Sequence, residues 1–352
     1  MHAPPKHSLR RRSGFTLVEL LVASAITVVL AGAMVAILAQ VSATWARAGG
    51  GLVAMQQAEQ ALDLLARDLE TAVMRRDGRV WLIATVQPDQ SGAGDIGGSL
   101  ARWSPPVRKP GEAAAGTPAS SLQLAPASGR LEDCRFGMAG VWLRFIAQVP
   151  DRNDAAANTS GPRAVAYQIV RHAVTGDAGS AQVYSLFRSE VRPYSDDSPA
   201  RERSTFAVGC DLCAEGYNTT SGGGNLGDAG TVRRPRRELV LGNHVVDFGV
   251  RFLGPAAGSG RLELLFPTGN DNRAFVATTS PGAVPVHPPV PAGQTSRGFP
   301  TAAELFIRVL TEEGARQIAA LEQGQVAGPA WWEIARAHSV VCTRRVVLEA
   351  SP

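Results

Sequence analysis

Cys210-Asp211-Leu212-Cys213 is the spacing in this chain that comes nearest to a reactive site. Two cysteines separated by two residues can supply half of a tetrahedral zinc site or a dithiol redox pair. A structural zinc needs four ligands, and the chain has neither a second CxxC nor a close pair of histidines. Cys134 and Cys342 could complete such a site only through folding. A thioredoxin-like role needs a βαβ setting that the sequence lacks. His172, His244, His287 and His338 are scattered, with no HExxH or other ligand spacing. There is no GxSxG, no P-loop and no GxGxxG between a strand and a helix. Catalysis therefore has no candidate site: the chain reads as a non-enzyme, and no cofactor is implied.

A more informative group is the carboxylate of Glu19, the one charge in residues 15–41. As a helix that stretch spans roughly 40 Å, against roughly 30 Å of bilayer hydrocarbon. An intramembrane carboxylate is costly and calls for a partner. Gly14 separates the apolar run from a basic stretch holding Lys6, Arg10, Arg11 and Arg12. A cut after Gly14 would leave a new amine on Phe15. In a bundle of parallel helices, Glu19 of one subunit could then neutralise Phe15 of the next. No Lys or Arg follows the leader until Arg47, so the positive-inside rule keeps the N-terminus cytoplasmic and exports the chain beyond residue 45. A cleaved secretory signal fits poorly: its apolar region would be shorter, and no A-x-A site ends this one.

Arg12-Ser13-Gly14-Phe15-Thr16-Leu17-Val18-Glu19-Leu20-Leu21-Val22-Ala23 resembles the prepilin-type cleavage and methylation signal of type IV pilins and type II secretion pseudopilins. The resemblance implies that a prepilin peptidase cuts between Gly14 and Phe15 and methylates the Phe15 amine, and that Glu19 serves assembly. It covers about 30 residues. The size of the chain, with Ala166-Tyr167-Gln168-Ile169 and Tyr184-Ser185-Leu186-Phe187-Arg188, is similar to the large minor pseudopilins of J or W type. Ser42-Ala43-Thr44-Trp45 and the run from Leu305 to Gly314 also resemble the Verru_Chthon cassette protein C group. The implied function is a structural subunit assembled through its N-terminal helix into a type II secretion or type IV pilus-like filament, at its tip or as a priming subunit. The implied partners are prepilin peptidase, other pilin-like subunits and inner-membrane lipid. The implied location is a single pass of the inner membrane, with the C-terminal domain periplasmic and filament-associated after processing. The alternative is a membrane-anchored exported binding protein that uses the signal only for export. In an exported domain the four thiols are expected to form disulfides, Cys210–Cys213 and Cys134–Cys342. Pseudopilin relatives can hold calcium in loops, where this chain has Asp151, Asp228 and Asp271, but no EF-hand spacing is present.

The elements that must position these groups follow from composition and period. With 352 residues, 45% hydrophobic and 19% charged, the chain can bury a core and is not a disordered one. Its 35 bases exceed its 31 acids only through the leader; beyond residue 14 the two balance. The charge is a tail and not a face, which argues against a nucleic-acid partner. The layout is a cleaved basic leader at 1–14, a transmembrane and assembly helix at 15–45, an amphipathic helix at 52–76 and an exported β-rich globular domain at 77–352. Gly49-Gly50-Gly51 is expected to interrupt the helix. Met55, Ala58, Leu62, Leu65, Leu69 and Ala72 form the stripe of the second helix, and Glu59, Asp63, Arg67 and Asp68 take its other faces. Strands are predicted at 121–125, 139–148, 163–171, 182–190, 238–253, 260–266, 303–311 and 339–348. A short helix is predicted at 312–323, with Thr311 as cap. Loops 209–230, with seven glycines, and 281–300, with six prolines, read as long surface excursions. Strands do not alternate with helices, so the fold class is α+β: a long N-terminal membrane and amphipathic helix packed on a large antiparallel β-rich domain, as in pilins.

Overall fold

Leu17–Glu70 contains no proline and forms one helix, α1, in a computed structural model of the chain. The structure describes residues 16–74, 80–86, 122–136, 140–148, 163–173, 182–194, 205–207, 240–255, 260–270, 272–277, 299–326 and 331–348. The expected interruption at Gly49-Gly50-Gly51 is not made, because helical backbone continues through the triplet. A glycine costs about 1 kcal/mol relative to alanine in a helix, and here long runs of good helix formers flank the three. The triplet does mark a boundary. The chain divides into two compact units, Met1–Gly49 and Gly50–Pro352, and the division falls inside it.

In the second unit, α1 buries Ala54, Ala58, Ala61, Leu62, Leu65, Ala66 and Leu69. The stripe is turned by one residue from the expected one at its start, with Ala54 inside and Met55 44% exposed. The helix also ends earlier than residue 76. After Glu70, Val73 N–H donates to the Ile146 carbonyl at 2.8 Å and Thr71 O accepts from Gln148 N–H at 3.0 Å. The backbone finds strand partners there and leaves the helix.

The strands are β1 (Leu82–Val86), β2 (Leu122–Gln123), β3 (Arg135–Phe136), β4 (Val141–Ala147), β5 (Arg163–Ala173), β6 (Gln182–Tyr194) and β7 (Thr205–Ala207). They continue with β8 (Val240–Asn243), β9 (Val245–Pro255), β10 (Leu262–Phe266), β11 (Ala274–Ala277), β12 (Ala302–Leu310) and β13 (Ser339–Val347). One sheet runs β11-β1-β4-β5-β6-β7, with β8 also on β6; a second runs β10-β9-β12-β13; β2 and β3 pair with each other. All described pairings are antiparallel except β6 with β7. The fold is therefore α+β, a long N-terminal helix with an antiparallel β-rich domain. The helix residues and both large sheets contribute to one continuous core.

Alternation of Val141, Leu143, Phe145 and Ala147 predicts a half-buried β4, but Trp142, Arg144 and Ile146 between them are buried too, so both faces of the strand are covered. Ala84, Leu143, Tyr167 and Arg188 stand in one row across the first sheet, so their side chains share a face. The predicted strand 238–253 is two strands. His244, at φ 61°, sits between β8 and β9, and its carbonyl accepts from Leu310 N–H at 2.9 Å. Two helices follow β12: α2 (Glu312–Glu322) and α3 (Trp331–Ala337). The predicted Thr311 cap is made, with its hydroxyl accepting from Gly314 N–H at 3.2 Å. In the second sheet Gly249 is needed for close approach: the Phe136 ring lies 1.9 Å from where a Cβ would stand.

Candidate functional site at the start of the helix

Thr16 is the first described residue and Glu19 lies in the first turn of the helix that begins at Leu17. The Thr16 backbone N–H and hydroxyl both donate to Glu19 Oε2, at 3.0 and 3.1 Å. Glu19 N–H donates in return to Thr16 Oγ1 at 3.3 Å. This reciprocal capping box satisfies donors that a helix start would otherwise leave open, and it holds a carboxylate at the positive end of the helix dipole. In sequence the carboxylate is thereby tied to the residue next to Phe15. Gly14 and Phe15 themselves lie outside the described residues.

Beyond Glu19 the helix has nothing ionised until Arg47. Leu17–Ser42 is long and apolar enough to cross a membrane, and none of it is buried within the protein. Leu20, Val28, Leu30, Met34 and Val35 are each more than 60% exposed. The short polar side chains in this stretch use the helix's own backbone. Ser24 Oγ donates to the Leu21 carbonyl at 2.9 Å and Thr27 Oγ1 to the Ala23 carbonyl at 2.8 Å. Hydroxyls bonded in this way add no unmet polar group to the apolar surface, which is what a hydrocarbon environment requires.

A family model described as the prokaryotic N-terminal methylation motif matches residues 9–35. This is a prepilin-type signal. It contains Gly14, Phe15, Thr16 and Glu19 and most of the exposed apolar helix. No curated protein and no solved structure matches the chain. The signal implies processing by a prepilin peptidase and pilin-like partners in general, and the apolar helix beside it is consistent with membrane anchoring.

The cysteines are arranged otherwise than expected. Cys134 and Cys342 are free thiols and do not bond to each other. The second sheet separates them. Cys342 pairs in register with Ile307, which pairs with Phe248, so all three share one face. Cys134 receives an N–H from Arg251 at 2.9 Å. Arg251 lies three residues from Phe248 along β9, and successive side chains alternate faces, so the two thiols lie on opposite sides of the sheet. Burial pushes the Cys134 thiol up to about 11, against the opposing charge of Arg251. Burial and then Glu59 push Cys342 up as well. Neither is an activated nucleophile. Cys210 and Cys213, loop 209–230, residues 281–298 of the proline-rich loop, and Asp151, Asp228, Asp271 and His287 lie outside the described residues. Among the described residues no group of three or more His, Cys, Asp or Glu is placed to hold a metal ion.

Three buried polar groupings escape the sequence reading. Asp68, assigned there to an outer face of the helix, is 5% exposed. Its carboxylate accepts from Tyr167 Oη at 2.5 Å and from Arg188 Nε and Nη2 at 2.6 and 3.2 Å. Burial first, then the Asp68 charge, raises the Tyr167 hydroxyl well above its usual value, so it stays a donor. Glu322, in the last turn of α2, accepts from Tyr184 Oη and from Trp331 Nε1, which ties α3 to the first sheet. Asp247 accepts from Phe136 N–H at 3.2 Å, and Arg308 Nη2 donates to the Glu132 carbonyl at 3.2 Å; these tie the β2–β3 hairpin to the second sheet. The one available signal was positional. Asp68 follows Ala61 and Leu65 at spacings of four and three, which places a charge on the buried stripe.

Proposed function

We propose that this chain is a minor pseudopilin-like or pilin-like structural subunit, processed by a prepilin peptidase and assembled through its N-terminal helix. The observation that carries the reading is the unburied apolar helix Leu17–Ser42, which directly continues a methylation motif whose Glu19 is held in a capping box. An apolar surface of that length needs lipid before assembly and neighbouring helices after it. Cleavage after Gly14 creates the Phe15 amine. Glu19 of one subunit then pairs with the amine of the next, which sets their stagger. The protein crosses the inner membrane once, with the leader cytoplasmic and the β-rich domain periplasmic. Its size favours a J-like or W-like role at the tip of a secretion or pilus-like filament, or in priming one, over a repeated place in the shaft. The chain carries out no catalysis in this role.

The test is the intact mass of membrane-extracted protein made with and without a prepilin peptidase. The expected product lacks residues 1–14 and carries one methyl group, only when the peptidase is present. An uncut or differently cut product overturns the reading and leaves a signal-anchored domain.

A further inference from the structure

Among the described residues the two large sheets end in β11, in β7 with β8, in β10 and in β13, and all but β13 are blunted. β11 has four residues, β7 three and β8 four, and β10 loses register against β9 between Leu264 and Phe266. Short edges and bulges are ordinary means of keeping a sheet from pairing further. β13 uses neither. Its nine residues pair with β12 from Ser339 to Val347 without a register shift, and they include no proline.

The pairing fixes where the backbone groups of β13 point. Thr311 N–H donates to the His338 carbonyl and Leu348 N–H to the Thr301 carbonyl, each at 2.9 Å. Hydrogen-bonded and non-hydrogen-bonded residues alternate along an antiparallel pair, so the even-numbered residues of β13 bond to β12. Ser339, Val341, Thr343, Arg345 and Val347 turn their N–H and C=O groups outward. Thr343, Arg345 and Val347 in that row are exposed, Val347 at 67%. Side chains alternate as well. Arg344 pairs with Asp63 of α1, on the helix side of the sheet. Arg345 projects from the opposite face and forms no ion pair among the described residues.

We infer that β13 is a docking edge for an extended acidic segment of a partner protein, which adds to the second sheet as its next antiparallel strand. In strand addition the open backbone groups supply affinity and the flanking side chains supply selectivity. The segment sets an acid opposite Arg345 and apolar side chains opposite Val341 and Val347. A second copy lacks that chemistry, since Ser339–Val347 contains no acid to offer Arg345. The inference concerns this edge alone and does not rest on the pilin-like reading.

The test uses the full-length chain in detergent and a fluorescein-labelled peptide, Val-Ser-Glu-Ser-Thr-Ser-Val. Antiparallel pairing sets its Glu opposite Arg345. By anisotropy it should bind at least about five-fold more tightly than the same peptide with Lys for Glu, the scale of replacing a favourable cross-strand charge pair by a like-charged one. Binding should slow amide exchange at Val341, Thr343 and Arg345 and leave the even-numbered amides of β13 unchanged. Thr343→Pro removes an outward donor but no bond to β12, so it should fold and lose the peptide, while Thr343→Val should keep it. Should Thr343→Pro fail to fold, peptides N-methylated at Glu and Thr, which should not bind wild type, take its place. A Glu peptide that binds no more tightly than the Lys one, or that protects other amides instead, would overturn the inference. Self-association in sedimentation that Thr343→Pro removes would overturn it too, and assign the edge to a second copy.

Discussion

The two halves of α1 belong to one helix and end in opposite circumstances. Leu17–Ser42 keeps its apolar side chains on the outside, with Leu30 at 64% and Val28 at 70% exposure. The half beyond Gly50 buries Leu62 at 2% and Leu65 at 0% against the β-rich domain. Composition separates them: the first half has no charge after Glu19, whereas the second places Glu59, Asp63 and Arg67 between its apolar residues. A helix apolar on every side has no polar face to give to water and must find its cover elsewhere. An amphipathic helix can satisfy itself within its own fold. The same secondary structure thus serves one half as an interface and the other as a core element.

The largest expected effect is at Leu65. Leu65→Ala should lower the unfolding free energy of the β-rich domain by about 2–5 kcal/mol in denaturant titration, while Leu30→Ala should leave it within about 0.5 kcal/mol. Equal losses would break the contrast between the halves. Next is Gly249→Ala, which drives a methyl into the Phe136 ring and should cost the domain about 1–3 kcal/mol by the same assay. A smaller effect of opposite sign is expected at the junction. A Cβ at Gly51 meets nothing within 4 Å, so Gly51→Ala should stabilise the local helix by about 0.5–1 kcal/mol. That gain would appear as slower amide exchange just after the triplet, and unchanged exchange would deny that the triplet is helical in solution.

The smallest effect concerns pH. Burial holds His244 below its usual value, with Glu312 pulling the other way. The unfolded chain then binds a proton that the folded domain resists. Stability from this group is complete above about pH 6.5 and falls as pH drops through the lowered folded value. His244 occupies positive φ, where asparagine is also tolerated. His244→Asn should therefore fold and show a flatter dependence of melting temperature on pH between 7.5 and 5.

How much the sequence discloses depends on the range of the interaction. The Thr311 cap and the helix beyond Phe15 rest on groups within four residues of one another, and both are legible. β1 and β11 are missed because they are five and four residues long and buried throughout, too short a run to display a period; β4, also buried throughout, is seven residues long and is found. The seven-residue α3 is missed because Trp331-Trp332-Glu333-Ile334-Ala335-Arg336-Ala337 is too short to display a period. At Gly49-Gly50-Gly51 local propensity is read correctly as a boundary and wrongly as a break, since the hydrogen-bonded turns on either side outweigh it.

The sequence by itself determined the prepilin-type signal, the apolar helix that follows it and the α+β class, because leader charge, hydrophobic run and period are properties of adjacent residues. Only the tertiary structure decided which charges are buried and which thiols can meet. Asp68 and Arg188 are 120 residues apart in the chain and 2.6 Å apart in space. Cys134 and Cys342 look like partners in sequence, yet strand register sets them on opposite faces of one sheet. Each of these outcomes depends on which strands become neighbours, and pairing across such separations is settled by the packing of the whole core.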